Sequence, residues 1–168
     1  NEIYEAYPNR DSTPYISEYN FDSKWKTKEF VRGTLRLNGW KNAWSDIFKM
    51  LDNKSPELNK QIDILGEELW KKHPYFQDEQ DRVVLFVKLL ARKDNKEVFN
   101  SFYALDEKGS GENTAMGKLV SITLSCAIDL IVVNKMLSGV QAEPHDENLI
   151  NYFFKIFEDY KIFIKNNL

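Results

Sequence analysis

Two apolar runs around a short polar link constrain this chain more than any other feature. Arg82 to Arg92 is rich in Val, Leu and Phe, Glu97 to Asp106 alternates apolar with polar, and Lys93-Asp94-Asn95-Lys96 lies between them. Two β-prone runs so close together can only pair antiparallel, as a hairpin, because a parallel return needs a dozen or more residues. A hairpin of this length has an apolar face that must be covered, so the fold needs partner strands or a layer of helices.

The rest of the chain supplies both. Ile3 to Tyr7 alternates large residues and reads as a short strand, stopped by Pro8-Asn9-Arg10-Asp11-Ser12. Thr13 to Asn20 forms a short helix, capped by Ser12 or Thr13 with Pro14 in its first turn. Glu29 to Leu37 is a second strand. Phe30, Arg32, Thr34 and Arg36 share one of its faces; Val31, Leu35 and Leu37 share the other and are expected on the core. Asn38-Gly39 ends it. Trp40 to Leu51 repeats at helical spacing, and Leu58 to Lys72 carries a second apolar stripe before His73-Pro74 stops it. Asn113 or Thr114 caps a long helix reaching about Leu137, with Ser138-Gly139 as its stop. Val140 to Glu143 is extended, Pro144 starts a last amphipathic helix, and Lys161 to Lys165 closes the chain as a strand.

That order predicts an α+β fold: a mixed, largely antiparallel sheet with helices packed on one face. With 168 residues and no internal repeat, the chain reads as one domain over 1–168, with a short helical insertion at about 52–80. The chain opens at Asn1 and runs straight into a strand, which reads as a piece of a longer protein or a processed product.

Composition narrows the function. A net charge of -3 argues against nucleic acid, since phosphate binding needs a basic surface. The apolar stretch Leu119 to Leu137 is interrupted by Ser121, Thr123, Ser125, Asp129, Asn134 and Lys135, so it reads as a soluble helix and not a bilayer span. The lack of a basic amphipathic face speaks against a membrane-surface role. A single cysteine, Cys126, excludes a disulfide framework and a cysteine zinc cluster, and two histidines make a histidine metal site unexpected; no metal is expected. The thiol count and the absence of a signal-peptide pattern suggest a cytoplasmic protein. The seven glycines are scattered, none in a dinucleotide- or phosphate-binding spacing, and no nucleophile elbow is present. No cofactor is expected on this chain, and no catalytic residue is assigned.

What remains is a polar cluster at strand ends. Asn9 and Arg10 follow the first strand; Arg32, Gly33 and Thr34 lie in the second. Guanidinium groups bind carboxylates in bidentate fashion, and a glycine admits close approach of a ligand or backbone. Two arginines, a hydroxyl and an amide suit an amino acid with several carboxylates. The competing reading is that Arg10 pairs with Asp11 or a distant carboxylate and merely fixes the sheet. Asp11 is expected as a turn cap or arginine partner. Cys126 is expected as a buried thiol, His73 and His145 as helix-end residues, and Trp40, Trp44 and Trp70 as packing.

Tyr7-Pro8-Asn9-Arg10-Asp11-Ser12-Thr13-Pro14-Tyr15 resembles a segment of the glutamate-forming saccharopine dehydrogenases, also known as saccharopine reductases. Phe30-Val31-Arg32-Gly33-Thr34-Leu35-Arg36 with Gly39-Trp40 is similar to a second, and Asp81-Arg82-Val83-Val84, Thr114-Ala115-Met116 and Ser138-Gly139-Val140 with Pro144 follow in the family's order. The resemblance implies the C-terminal substrate-binding and dimerisation domain, like the C-terminal domain of glyceraldehyde-3-phosphate dehydrogenase. It implies NAD or NADP on a Rossmann domain absent from this chain, a homodimer, and oxidation of the secondary amine of saccharopine in lysine metabolism. It places Arg32 on a substrate carboxylate, with Arg10 and Asn9 beside the pocket. The fragment alone is expected to be inactive. Asn42 and Ala43 stand where the family often has Cys, and Ser121-Ile122-Thr123 replaces a glycine-hydrophobic-proline break. These departures leave a related imino acid open as substrate. The rival reading is a non-catalytic dimerisation or interaction domain; arginines each tied to internal carboxylates would favour it.

Overall fold

The computed structural model describes residues 2–76, 78–133, 139–140 and 144–167. The chain forms two compact units, Asn1–Gln77 and Asp78–Leu168. The architecture is α+β, with the strands divided between two antiparallel sheets, one in each unit.

The N-terminal unit contains β1 (Tyr4–Pro8), α1 (Tyr15–Glu18), β2 (Gly33–Leu37), α2 (Trp40–Ala43), α3 (Ser45–Asp52) and α4 (Leu58–Lys72). β1 and β2 pair over five residues, from Tyr4 opposite Leu37 to Pro8 opposite Gly33. β2 is four residues shorter than the expected 29–37. Its partner ends at Pro8, which has no N–H to continue the ladder, and a single bond from Asn9 N–H to the Arg32 carbonyl at 3.2 Å is all that follows. The expected helix over 40–51 is two helices joined at Trp44, where Ser45 and Asp46, residues that favour helix starts over interiors, follow. Gly39 sits at φ 88, a left-handed conformation costly for residues with a Cβ. α1 is shorter than 13–20. The Ser12 and Thr13 side chains make no cap, since their hydroxyls bond the Arg10 carbonyl and the Asp11 carboxylate.

The C-terminal unit contains β3 (Arg82–Lys93), β4 (Lys96–Lys108), α5 (Ala115–Val132), α6 (Glu147–Asp159) and β5 (Lys165–Asn166), with sheet order β3-β4-β5. The hairpin ladder closes further than the polar link suggested. Lys93 pairs with Lys96, leaving a two-residue turn of Asp94 and Asn95 at φ 51 and 61. Positive φ at both turn residues marks a type I′ turn, whose twist matches the strands.

Thr114 caps α5 by accepting from Gly117 N–H at 3.0 Å. The Asp81 carboxylate accepts from Ala115 and Met116 N–H at 2.6 and 2.9 Å. These bonds satisfy donors that every helix start leaves open. α5 runs unbroken through Ser121-Ile122-Thr123; its expected end, together with Ser138 and residues 141–143, lies outside the described residues. α6 begins three residues after Pro144, because the Asp146 carboxylate caps it through Asn148 and Leu149 N–H. Lys161 at φ 57 then turns the chain, with Ile162 N–H donating back to Phe157 at 2.7 Å. This closure delays the final strand from 161–165 to Lys165–Asn166. The core sits here: Leu105, Ile122, Cys126 and Ile162, with Leu119, Phe153, Ile156 and Phe157 against them. Tyr103 stacks on Phe154 at 5.7 Å.

Candidate functional site

The strand register brings the predicted residues together at one end of the β1–β2 ribbon. Tyr7 lies opposite Thr34 and Pro8 opposite Gly33. Alternation along the two strands therefore puts Glu5, Tyr7, Thr34 and Arg36 on one face, and the line continues to Asn9 and Arg32 beyond the ladder. A Cβ on Gly33 would lie 3.1 Å from the Tyr7 carbonyl oxygen, so glycine here permits the close approach of the two backbones.

Ser12 clamps the loop to the second strand. It is buried, accepts from Arg32 N–H at 3.1 Å and donates to the Arg10 carbonyl at 3.2 Å. One hydroxyl thus ties the Asn9–Arg10 segment to Arg32, an arrangement that spacing alone did not disclose. Asp11 is a turn cap, accepting from Thr13 N–H at 3.0 Å and from its hydroxyl at 2.7 Å. The Thr13 amide and then its hydroxyl hold the Asp11 carboxyl below its usual range.

Among the described residues no ion pair engages Arg10, Arg32 or Arg36. The Arg32 guanidinium instead lies 3.9 Å from the centre of the Tyr15 ring, and Arg36 lies 5.5 Å from that of Trp40. An aromatic face steadies a guanidinium without using its in-plane donors, which stay available for an anion. Arg36 was not among the predicted site residues. Its place on the Arg32–Thr34 face was visible in the alternation, but its support by Trp40 needed the fold.

Glu5 was also missed. Its carboxylate accepts from the Tyr7 hydroxyl, from Gly39 N–H at 2.6 Å and from Lys41 N–H at 3.1 Å. The Tyr7 hydroxyl first, then the Lys41 and Gly39 amides, hold the Glu5 carboxyl below its usual 4.5; Glu5 in turn pushes Tyr7 up. Although Glu5 stands directly across from Arg36, its oxygens serve these other donors. Tyr7 packs on Trp40 at 5.2 Å, and Trp40 stacks on Trp44 at 5.3 Å. These two tryptophans are packing residues, as expected; Trp70 packs on Tyr75 at 5.9 Å instead.

The opposite face of the ribbon departs from expectation. Val31 and Leu37 were placed on the core, yet they are 55% and 68% exposed. A two-stranded ribbon with short helices has too little surface to bury both faces.

Elsewhere the predicted structural residues behave as such. Cys126 is 1% exposed, and burial, then the Asp129 carboxylate, push its thiol up. His73 ends α4. A cleft of about 430 Å³ in the C-terminal unit is lined by Tyr103, Phe154, Glu158 and Ile162 among others, none of them a predicted site residue. Among the described residues no cluster of His, Cys, Asp or Glu is suited to a metal ion.

The junction of β2 with α2 is a strand, a glycine and a helix start, but the Gly39 and Lys41 amides there already serve Glu5. A pyrophosphate needs such amides open.

No curated protein and no solved structure matches this chain. The family model of the saccharopine dehydrogenase C-terminal domain matches residues 2–162, which include both arginine segments and nearly all of the two units. The chain therefore belongs to the saccharopine dehydrogenase C-terminal domain family.

Proposed function

We propose that this chain is the substrate-binding and dimerisation domain of a saccharopine dehydrogenase-like oxidoreductase, acting on the secondary amine of saccharopine or a related amino acid of lysine metabolism. The observation that carries this reading is the set of guanidiniums without carboxylate partners among the described residues, two of them held on aromatic rings beside Thr34. Such a face attracts a molecule with several carboxylates. Arg32 takes one carboxylate, Thr34 adds a hydroxyl donor, Gly33 keeps the backbone close, and Arg10 and Asn9 flank the site from the loop clamped by Ser12. Their work is to orient the substrate and neutralise its charge. NAD or NADP belongs to a Rossmann domain outside this chain, so the chain alone is inactive as a dehydrogenase. The working assembly is a cytoplasmic homodimer.

Calorimetric titration of saccharopine into this chain and into Arg32→Ala tests the reading. Binding by the parent that the variant loses supports it. If the chain shows no binding, the same titration is made on the protein with its cofactor domain. A second failure there would favour the non-catalytic interaction domain.

A further inference from the structure

The strand register sets Glu5 directly across from Arg36. Opposite charges in that relation ordinarily attract each other across a sheet. Among the described residues these two form no ion pair. One Glu5 oxygen accepts from Gly39 N–H at 2.6 Å, and the other accepts from Lys41 N–H at 3.1 Å and from the Tyr7 hydroxyl. One carboxylate thus grips the residues on both sides of Trp40. The Trp40 ring lies against Tyr7 at 5.2 Å, Trp44 at 5.3 Å and Phe48 at 5.5 Å. Its face carries the Arg36 guanidinium at 5.5 Å. All of these residues belong to the N-terminal unit.

This placement acts on Arg36 in two ways. The carboxylate across the ladder is spent on two amides and a phenol, so it does not take the guanidinium donors. The ring beneath the guanidinium is fixed through its neighbours, and a ring face steadies the cation while its in-plane donors stay open. Arg32 and Arg36 are four residues apart on one side of the ribbon. At roughly 3.3 Å per residue their backbones stand about 13 Å apart, so each meets a carboxylate of its own.

We propose that Glu5 is a positioning residue for the substrate: by holding Gly39 and Lys41 it seats Trp40 beneath Arg36 and leaves that guanidinium free to take a second substrate carboxylate. The inference rests on the substrate-binding reading and adds a residue that acts through another. A Glu5 that only braced the junction of β2 with α2 would change stability when removed. It would leave the Arg36 guanidinium in place and the affinity of the folded chain unaltered.

Nitrogen-resolved NMR of the chain and calorimetric titration of saccharopine provide the test. The Arg36 Nε–H resonance, assigned by its loss in Arg36→Lys, is expected to be displaced by the Trp40 ring current. Glu5→Gln keeps the side-chain size but removes the charge and one acceptor oxygen. It is expected to return that resonance toward the position of a free arginine. A resonance left unmoved in folded Glu5→Gln overturns the proposal, whatever saccharopine does. If Glu5→Gln fails to fold, Glu5→Asp gives the same reading, because its carboxylate is drawn back by one methylene and cannot hold both amides.

In the titration, Arg36→Ala is expected to weaken saccharopine binding about tenfold or more and Glu5→Gln about fivefold. Adding Glu5→Gln to Arg36→Ala should weaken it no further, since residues that act as one unit are not additive. A further fivefold loss in the double variant, or a Glu5→Gln chain that binds as tightly as the parent, overturns the proposal alone. Failure of saccharopine to bind both the parent chain and the protein with its cofactor domain overturns the substrate reading and the proposal together.

Discussion

The two sheets solve the same problem in different ways. In the C-terminal unit, a buried cluster of Leu105, Ile122, Cys126 and Ile162 joins the base of the β3–β4 hairpin to the helices, while its outer part, expected to need cover, leaves Leu85, Phe86, Val87, Leu89 and Leu90 exposed. In the N-terminal unit the only described residue that is buried is Ser12, a hydroxyl between two backbone groups. That unit relies on ring contacts, among them Tyr7 with Trp40 and Phe21 with Phe30 at 5.6 Å, and on carboxylates spent on backbone amides. Burial rigidifies but closes a surface. Polar clamping holds a backbone while leaving side chains open, and the arginines are found on that kind of scaffold.

Core truncation should break the comparison hardest. Ile122→Ala removes apolar volume beneath α5 and should cost about 2–5 kcal/mol in the C-terminal unit, read by urea unfolding followed by circular dichroism. All four tryptophans, Trp25, Trp40, Trp44 and Trp70, belong to the N-terminal unit. Their fluorescence reports that unit separately. A shift of the tryptophan transition by the full amount would show that the two units unfold as one.

The opposite pattern is expected at the arginines. Arg32→Ala should weaken saccharopine binding by about 1.5–3 kcal/mol, the scale of a charged hydrogen bond, with unfolding midpoints unchanged. Arg36→Ala should weaken binding in the same direction, and unaltered calorimetric affinity would remove Arg36 from the site. Ser12→Ala sharpens the comparison further. It leaves Arg32 N–H without its acceptor and should cost about 1 kcal/mol, seen in the tryptophan transition of the N-terminal unit.

The smallest effect is a pH dependence. The Glu5 carboxyl is held below its usual 4.5 when folded, so its stabilisation is complete above that value and is lost as pH falls through the lower folded value. The Met116 and Ala115 amides hold Asp81 below a usual 3.8, so the corresponding loss in the C-terminal unit begins at more acid pH. Tryptophan emission should therefore change before helix content on acidification. Glu5→Gln should flatten the early step, and a step that persists would exclude Glu5 as its origin.

Much of this was legible from periodicity. The bounds of α4, Leu58–Lys72, coincide with the expected helix, because its apolar stripe and the His73-Pro74 stop are local signals. The hairpin and the Thr114 cap were legible for the same reason. Less legible were boundaries that depend on a distant partner: β2 is shortened because β1 ends at Pro8, and the last strand begins late because Lys161 closes α6 first. In the candidate site, Asn9, Arg10, Arg32, Gly33 and Thr34 were readable as residue types at strand ends. Glu5 and Arg36 were passed over because the significance of each comes from a neighbour far along the chain, Gly39 for one and the Trp40 ring for the other.

The amino-acid sequence by itself determined the α+β class, the hairpin, most helix positions and, through its two arginine motifs, the family. Side-chain period, turn chemistry and cap residues act over a few neighbours, so these features need no knowledge of the whole. Only the tertiary structure decided that Ser12 joins the Asn9–Arg10 loop to Arg32, and that the guanidiniums of Arg32 and Arg36 rest on Tyr15 and Trp40, with no carboxylate paired to them among the described residues. A carboxylate or ring can meet a given arginine from anywhere in the chain. Which one does so is settled by the packing of all the elements together.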